Sequence, residues 1–179
     1  MPLPYEEKEI QCSRQLIHEG KVITFVQDTV ETIQGKSAIR DVVLHPGGAC
    51  VLPILPDGRI LLIRQFRYAT HEFLWEFPAG KLDVPEESPE QAIKRELWEE
   101  TGFQSVQWQS HGYLYTAPGF CDERIYLFIA RDCIFAEEKP PQVEDEAIIT
   151  QAFHLEEIKA MIASHQIKDA KTLALLAFL

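Results

Sequence analysis

Glu96, Glu99 and Glu100 stand close together in the middle of this chain, with Arg95 beside them. If the segment is helical, at about 100° per residue, the three carboxylates fall within roughly a 100° arc. Like charges at that spacing cost a helix a few tenths of a kcal/mol per pair, so the cluster asks for a compensating cation. A hard divalent ion with oxygen ligands is the natural one. The competing description is a solvated acidic face, the ordinary fate of a charge run.

The elements that must position these residues carry clear signals. Ser88 suits a helix N-cap, Pro89 the first helical position, and Gln91 can complete a capping box. Gly102 is placed to end the helix in a left-handed turn. Ile93 and Leu97, four residues apart, give it a face to seat on a core. A loop from Lys81 to Glu87 leads in, preceded by Trp75-Glu76-Phe77-Pro78-Ala79-Gly80.

Further out, Glu9 to Arg14, Lys21 to Val30 and Ser37 to His45 read as strands of a small antiparallel unit, divided by Gly20 and by Gln34-Gly35. Three strands alone bury little, so this unit must lean on the main domain or on a second subunit. Gly48 to Leu55 and Arg59 to Phe66 are apolar runs joined by Pro56-Asp57-Gly58, a hairpin signal. Leu74 to Phe77, Val106 to Thr116, Arg124 to Ala130 and Ala147 to Phe153 read as strands. Leu155 to Ala163 and Ala170 to Phe178 read as helices, the second capped by Asp169. Strands with a central helix and terminal helices predict an α/β/α sandwich.

The segment from Gly80 to Phe103 resembles the Nudix box, Gly-x5-Glu-x7-Arg-Glu-U-x-Glu-Glu-x-Gly-U, with U a bulky apolar residue. Arg95 to Phe103 fits its second half without a break, and Glu87 stands eight positions before Arg95. Gly80 and Glu87 are separated by six residues where the pattern has five, so either Glu86 or Glu87 takes the first-Glu role. The likeness extends to Arg64-Gln65-Phe66-Arg67, to Pro118 sixteen residues after Gly102, to Ile167 through Thr172, and to His18-Glu19-Gly20-Lys21 and Arg40 through Val43. In these it looks like the ADP-ribose pyrophosphatase branch of the Nudix hydrolase superfamily, from about Glu9 to the end.

That resemblance implies a Nudix-type α/β/α sandwich, with residues 1–46 an N-terminal β-strand unit that dimerises and residues 47–179 the hydrolase domain. It implies a Mg²⁺-dependent hydrolase, with Mn²⁺ as a possible substitute, splitting ADP-ribose into AMP and ribose 5-phosphate. Glu96 and Glu100 would be the main metal ligands, with Glu99 assisting and the main-chain carbonyl of Ala79 completing the set. Two or three such ions can neutralise a pyrophosphate and generate hydroxide. Arg95 would hold a box carboxylate in place; an ordinary helix salt bridge to Glu99 describes it equally well. Family likeness puts the general base in the loop Glu144-Asp145-Glu146, Glu146 first and Glu144 second, where a loop can close over substrate.

Arg67 and Arg40 are candidates for the substrate's phosphates and for packing ADP-ribose, since guanidinium groups pair with phosphate and stack on bases. A surface ion pair for Arg67 and a strand-edge charge for Arg40 are the plainer readings. Glu76 either steadies the metal loop or simply ends a strand, and Phe120, Asp122 and Glu123, which flank Pro118, are candidates to line the site, with the partner subunit of a dimer as one route to it. Val22 stands where some relatives would carry an adenine-stacking ring. Single histidines such as His71 and His111 are more often structural or exposed than ligating.

Composition sets outer bounds. With 46% hydrophobic residues, 179 residues can bury a sizeable core, and the length suits one main domain with a small appendage. A formal charge of −11 argues against nucleic acid held by a basic surface, yet allows an anionic substrate if metal ions lie between. Cys12, Cys50, Cys121 and Cys133 have no zinc-like spacing, and reduced thiols in the cytoplasm are the simplest account. No signal peptide or membrane-spanning run is expected. Two alternatives stay open: hydrolysis of GDP-mannose or another nucleoside diphosphate sugar, and a ligand-sensing protein that keeps the fold without the chemistry.

Overall fold

The computed structural model describes residues 8–136 and 148–179. They divide into two compact units. The first holds the described residues up to Pro46 together with Ala117–Arg124. In it β1 (Ile10–Glu19), β2 (Thr24–Glu31) and β3 (Ser37–Leu44) form an antiparallel sheet in that order. β1 runs through to Glu19 rather than stopping at Arg14, with register shifts at Gln11/Ser13 and Leu16/His18 that re-aim it without ending its pairing. β2 alternates, burying Val26, Asp28 and Val30, while β1 is exposed along its whole length. The Ala117–Arg124 loop lies on β3: the Val43 N–H donates to the Phe120 carbonyl at 2.7 Å, and the Asp122 N–H donates to the Val43 carbonyl at 3.1 Å.

The second unit comprises Gly47–Thr116 and the described part of Ile125–Leu179. Its elements are β4 (Gly48–Pro53), β5 (Ile60–Arg67), β6 (Glu72–Glu76), β7 (Ala79–Lys81), α1 (Pro89–Thr101), β8 (Phe103–Gln104), β9 (Gln107–Tyr115), β10 (Arg124–Arg131), β11 (Ile134–Phe135), β12 (Ile149–Phe153), α2 (Leu155–Ala163) and α3 (Ala170–Leu176). Two sheets carry it, ordered β7-β4-β10-β9 and β12-β5-β6, with β8 and β11 as a two-stranded ribbon.

The Pro56-Asp57-Gly58 turn forms as expected, closed by Leu55 N–H to the Arg59 carbonyl at 2.8 Å. The two runs it joins nevertheless part after a single bridge, Ile54 to Ile60. β4 pairs in parallel with β10, and β5 pairs with β12 and β6. A turn residue fixes only the reversal, and the partners beyond it are chosen by burial.

β4 is buried throughout because both its faces are covered. Cys50 and Leu52 join Phe77, Leu127, Ile129 and, from the C-terminal helices, Ile158 and Leu175 in one cluster. Ala49 and Val51 join Ile93 and Leu97 of α1 with Phe128 in the other. The sheet therefore lies between α1 on one side and α2 with α3 on the other, the α/β/α sandwich expected.

Candidate active site

Helix α1 has the predicted boundaries. The Gln91 N–H donates to the Ser88 hydroxyl, the Gln91 side chain accepts from the Ser88 N–H at 2.9 Å, and Gly102 closes the helix at φ 76°. Ala92, Ile93 and Leu97 bury one face, so Arg95, Glu96, Glu99 and Glu100 lie half-buried on the remainder.

Arg95 gathers three of the carboxylates. Its Nε and Nη2 donate to both oxygens of Glu87 at 3.1 and 3.0 Å, and its Nη1 donates to Glu96 and to Glu99, each at 2.9 Å. The helix pair to Glu99 and the grip on the other carboxylates thus belong to one guanidinium. Its pKa is driven further up, first by the bonds to Glu87 and then by Glu96 and Glu99 against the cost of burial. Glu87, not Glu86, meets Arg95; Glu86 is exposed at φ 65°.

Glu100 accepts from the Ala79 N–H at 3.2 Å, tying the helix to β7. Beside it, Glu96 occupies the space a side chain at Gly80 would need: a Cβ built there would lie 2.1 Å from Glu96 Cδ and 2.2 Å from its Cγ and Oε1. Burial raises the Glu96 pKa, and the nearby Arg95 only partly offsets this. Four carboxylates, three of them paired with the one guanidinium, leave a negative excess of hard oxygen donors, and the glycine cradle holds one of them in place. That donor chemistry fits a divalent cation. Among the described residues no three acidic, histidine or cysteine side chains are already gathered as a metal cage, since Glu96 and Glu99 turn to Arg95.

Behind the Phe77-Pro78-Ala79 turn lies an ionic network spanning three elements. Glu76, at the end of β6, is 1% exposed. Arg67, from the end of β5, donates to its two oxygens at 2.7 and 2.9 Å. Lys171 of α3 also donates to Glu76 and to Asp169 at 2.8 Å. Asp169 caps α3 by accepting from the Thr172 N–H at 2.9 Å and from its hydroxyl at 2.6 Å. The Thr172 hydroxyl in turn accepts from the Phe77 N–H at 2.8 Å. Burial pushes the Glu76 pKa up, but Arg67 and Lys171 outweigh it and hold the carboxyl below its usual value. Burial lowers the Lys171 pKa, and Asp169 and Glu76 more than restore it.

Arg67 is accordingly no surface pair: its partner is enclosed, and the charge of Glu100 also reaches it. Lys171 and Thr172 were missed as site residues. Only the cap at Asp169 had a local signal, because residues 95 positions apart meet here through tertiary packing.

Two of the other expected residues, Arg40 and Phe120, belong to the first unit. Arg40 donates from its Nε to Glu9 at 3.0 Å. Phe120 is exposed in the same unit, where Asp122 accepts from the His45 N–H at 2.8 Å. Glu144 and Glu146 lie outside the described residues. His71 is exposed, its ring 5.1 Å from that of Tyr68, and the His111 ring lies 4.4 Å from that of Phe178, both pairs tilted. A cleft of about 340 Å³, lined by residues that include Lys94, Ser105, Trp108 and Asp132, contains none of Glu87, Glu96, Glu99 and Glu100.

The NUDIX domain matches residues 44–176. An ADP-ribose pyrophosphatase of Bacillus subtilis is 38% identical over 93% of this chain and 89% of its own. A methanol dehydrogenase activator of Bacillus methanolicus is 33% identical over 98% and 93%, and a GDP-mannose pyrophosphatase of Yersinia enterocolitica is 39% identical over 78% and 76%. The crystal structure of an ADP compounds hydrolase superposes with TM-score 0.78 over 95% of this chain and 91% of that one, at 20% identity, a likeness of fold. With the box residues assembled on α1 and the family matched across most of its length, the chain belongs to the NUDIX domain family and is a Nudix hydrolase.

Proposed function

We propose that this hydrolase cuts the pyrophosphate of a nucleoside diphosphate sugar, with ADP-ribose as first substrate and AMP and ribose 5-phosphate as products. The observation that carries the reading is the carboxylate group of α1 wedged against Gly80 and Ala79, joined to a 38% identical ADP-ribose pyrophosphatase. Glu96, Glu99, Glu100 and the Ala79 carbonyl would hold Mg²⁺, or Mn²⁺ in its place. Bound there, the ion supplies charge neutralisation of the pyrophosphate and a water of lowered pKa.

The chain's own residues do the rest. Glu87 and Arg95 fix the angle of Glu96 and Glu99. Arg67 offers its guanidinium to the phosphates, and Arg40 with Phe120 contacts the remainder of the substrate. Glu146, with Glu144 as second choice, takes the proton of the attacking water. The water oxygen bonds to one phosphorus, the bridging P–O bond breaks, and the bridging oxygen leaves with the second phosphate. Residues 1–46 are the proposed dimerisation unit of a homodimer and 47–179 the catalytic domain; the unbroken exposure of β1, with Ile10, Leu16 and Ile17 outward, supports this. We place the enzyme in the cytoplasm, on its four free cysteines. Among the described residues no helix is long and apolar enough to cross a membrane.

A panel of sugar nucleotides with Mg²⁺ and Mn²⁺, products identified by chromatography, tests the substrate. Fast turnover of GDP-mannose beside slow turnover of ADP-ribose would move the assignment to the second reading, which the Yersinia relative favours. Glu100→Gln should lower turnover by several orders of magnitude with the fold intact. Unchanged turnover would sink the metal role, and no turnover of any sugar nucleotide by the native chain would leave the ligand-sensing reading.

A further inference from the structure

Glu76 carries two counter-ions although one would neutralise it. Lys171 is the enclosed one, with its side chain 14% exposed, and Arg67 the open one, at 37%. Arg67 spends Nε and Nη2 on Glu76, while its Nη1 makes no bond to another group among the described residues. Asp169 balances Lys171 and is anchored by Thr172, so the lysine is held from two sides. Arg67, Lys171, Glu76 and Asp169 together are formally neutral. Without Lys171 the same group would be an anion, set beside the place where a pyrophosphate must approach.

We infer that Lys171 is a positioning residue for substrate binding: it is the resident counter-ion of Glu76, and it leaves the open edge of Arg67 attractive to the phosphates of the substrate. This rests on the reading of Arg67 as a phosphate contact. Removing one unit of positive charge from beside a phosphate contact, at an effective dielectric constant near 20 and with salt screening, corresponds to a weakening on the order of tenfold. The lysine does not touch the reacting atoms, so its loss falls on KM more than on kcat.

The test uses the full-length enzyme with ADP-ribose and Mg²⁺, with calorimetric binding of ADP-ribose in EDTA as a readout independent of turnover. Lys171→Gln should raise KM about tenfold with kcat held within about threefold. Glu76→Gln/Lys171→Gln, which restores neutrality, should bring KM back towards the native value. Should Lys171→Gln fold poorly, the same step is read in the Glu76→Gln background, where adding Lys171→Gln should again raise KM about tenfold. Lys171→Arg keeps the charge and should keep KM. A KM unmoved by loss of the lysine, or raised equally by the double substitution, overturns the inference. Arg67→Gln separates the two layers: if it leaves KM unchanged, the reading of Arg67 falls; if it raises KM while the lysine variants do not, only the role of Lys171 falls.

Discussion

Replacing Gly80 by alanine should separate folding from catalysis. The new methyl would stand 2.1 to 2.2 Å from Glu96 Cδ, Cγ and Oε1, against 3.4 to 4 Å for ordinary contact. The obstruction is the end of a flexible side chain rather than backbone, so Glu96 can retreat by about 1 Å or more and the fold can persist. Gly80 does not lie at positive φ, so alanine meets no backbone strain there. Losing freedom in the unfolded chain gains about 0.4–1 kcal/mol. Losing the partly exposed Arg95 to Glu96 bond costs about 0.5–1.5 kcal/mol. Stability should therefore stay within about 1 kcal/mol of native. Catalysis should not: misplacing a catalytic group by about 1 Å costs on the order of 10²-fold, near 2.7 kcal/mol of barrier. Urea denaturation, steady-state turnover of ADP-ribose and Mn²⁺ binding by electron paramagnetic resonance measure the three consequences. Native turnover would show that the place Glu96 holds against Gly80 is irrelevant to the chemistry, and gross unfolding would show that the cradle is a packing joint.

Thr172→Val keeps the shape of a side chain that is fully buried but removes the acceptor for the Phe77 N–H, and should cost about 1–3 kcal/mol by urea denaturation, with Thr172→Ser close to native. A valine variant as stable as the native protein would mean that the Phe77 N–H finds another partner. Acid should act through Glu76, whose carboxyl, despite burial, Arg67 and Lys171 hold below its usual value. Its contribution is complete above the unperturbed carboxylate value, about pH 4.3, and lost as pH falls through the lowered value, so Glu76→Gln should show a flatter loss of stability below about pH 4.3. Parallel acid limbs in the two proteins would assign acid sensitivity to other carboxylates.

What the sequence discloses follows the range of the forces involved. Ser88, Gln91 and Gly102 set the ends of α1 by contacts within a few residues, so the helix and its carboxylate face were legible before any fold was known. The Asp169 cap was legible for the same reason. The turn at Asp57-Gly58 was legible as a reversal but not as a choice of partners, because β4 and β5 are claimed by different strands of the core. β7 is three residues long and includes a glycine, and β8 and β11 have two residues each; such pieces exist only where a partner strand meets them. The same division runs through the site. The carboxylates proposed to hold the metal share one helix, and their spacing exposes them. The charges and the hydroxyl from β5, β6 and α3 look like unrelated residues until packing draws them around Glu76. A carboxylate withdrawn this far from water persists as an anion only beside cations that are themselves held. Phe77, two residues before β7, is likewise tied through Thr172 to the Asp169 cap of the last helix as well as to β6, which it follows.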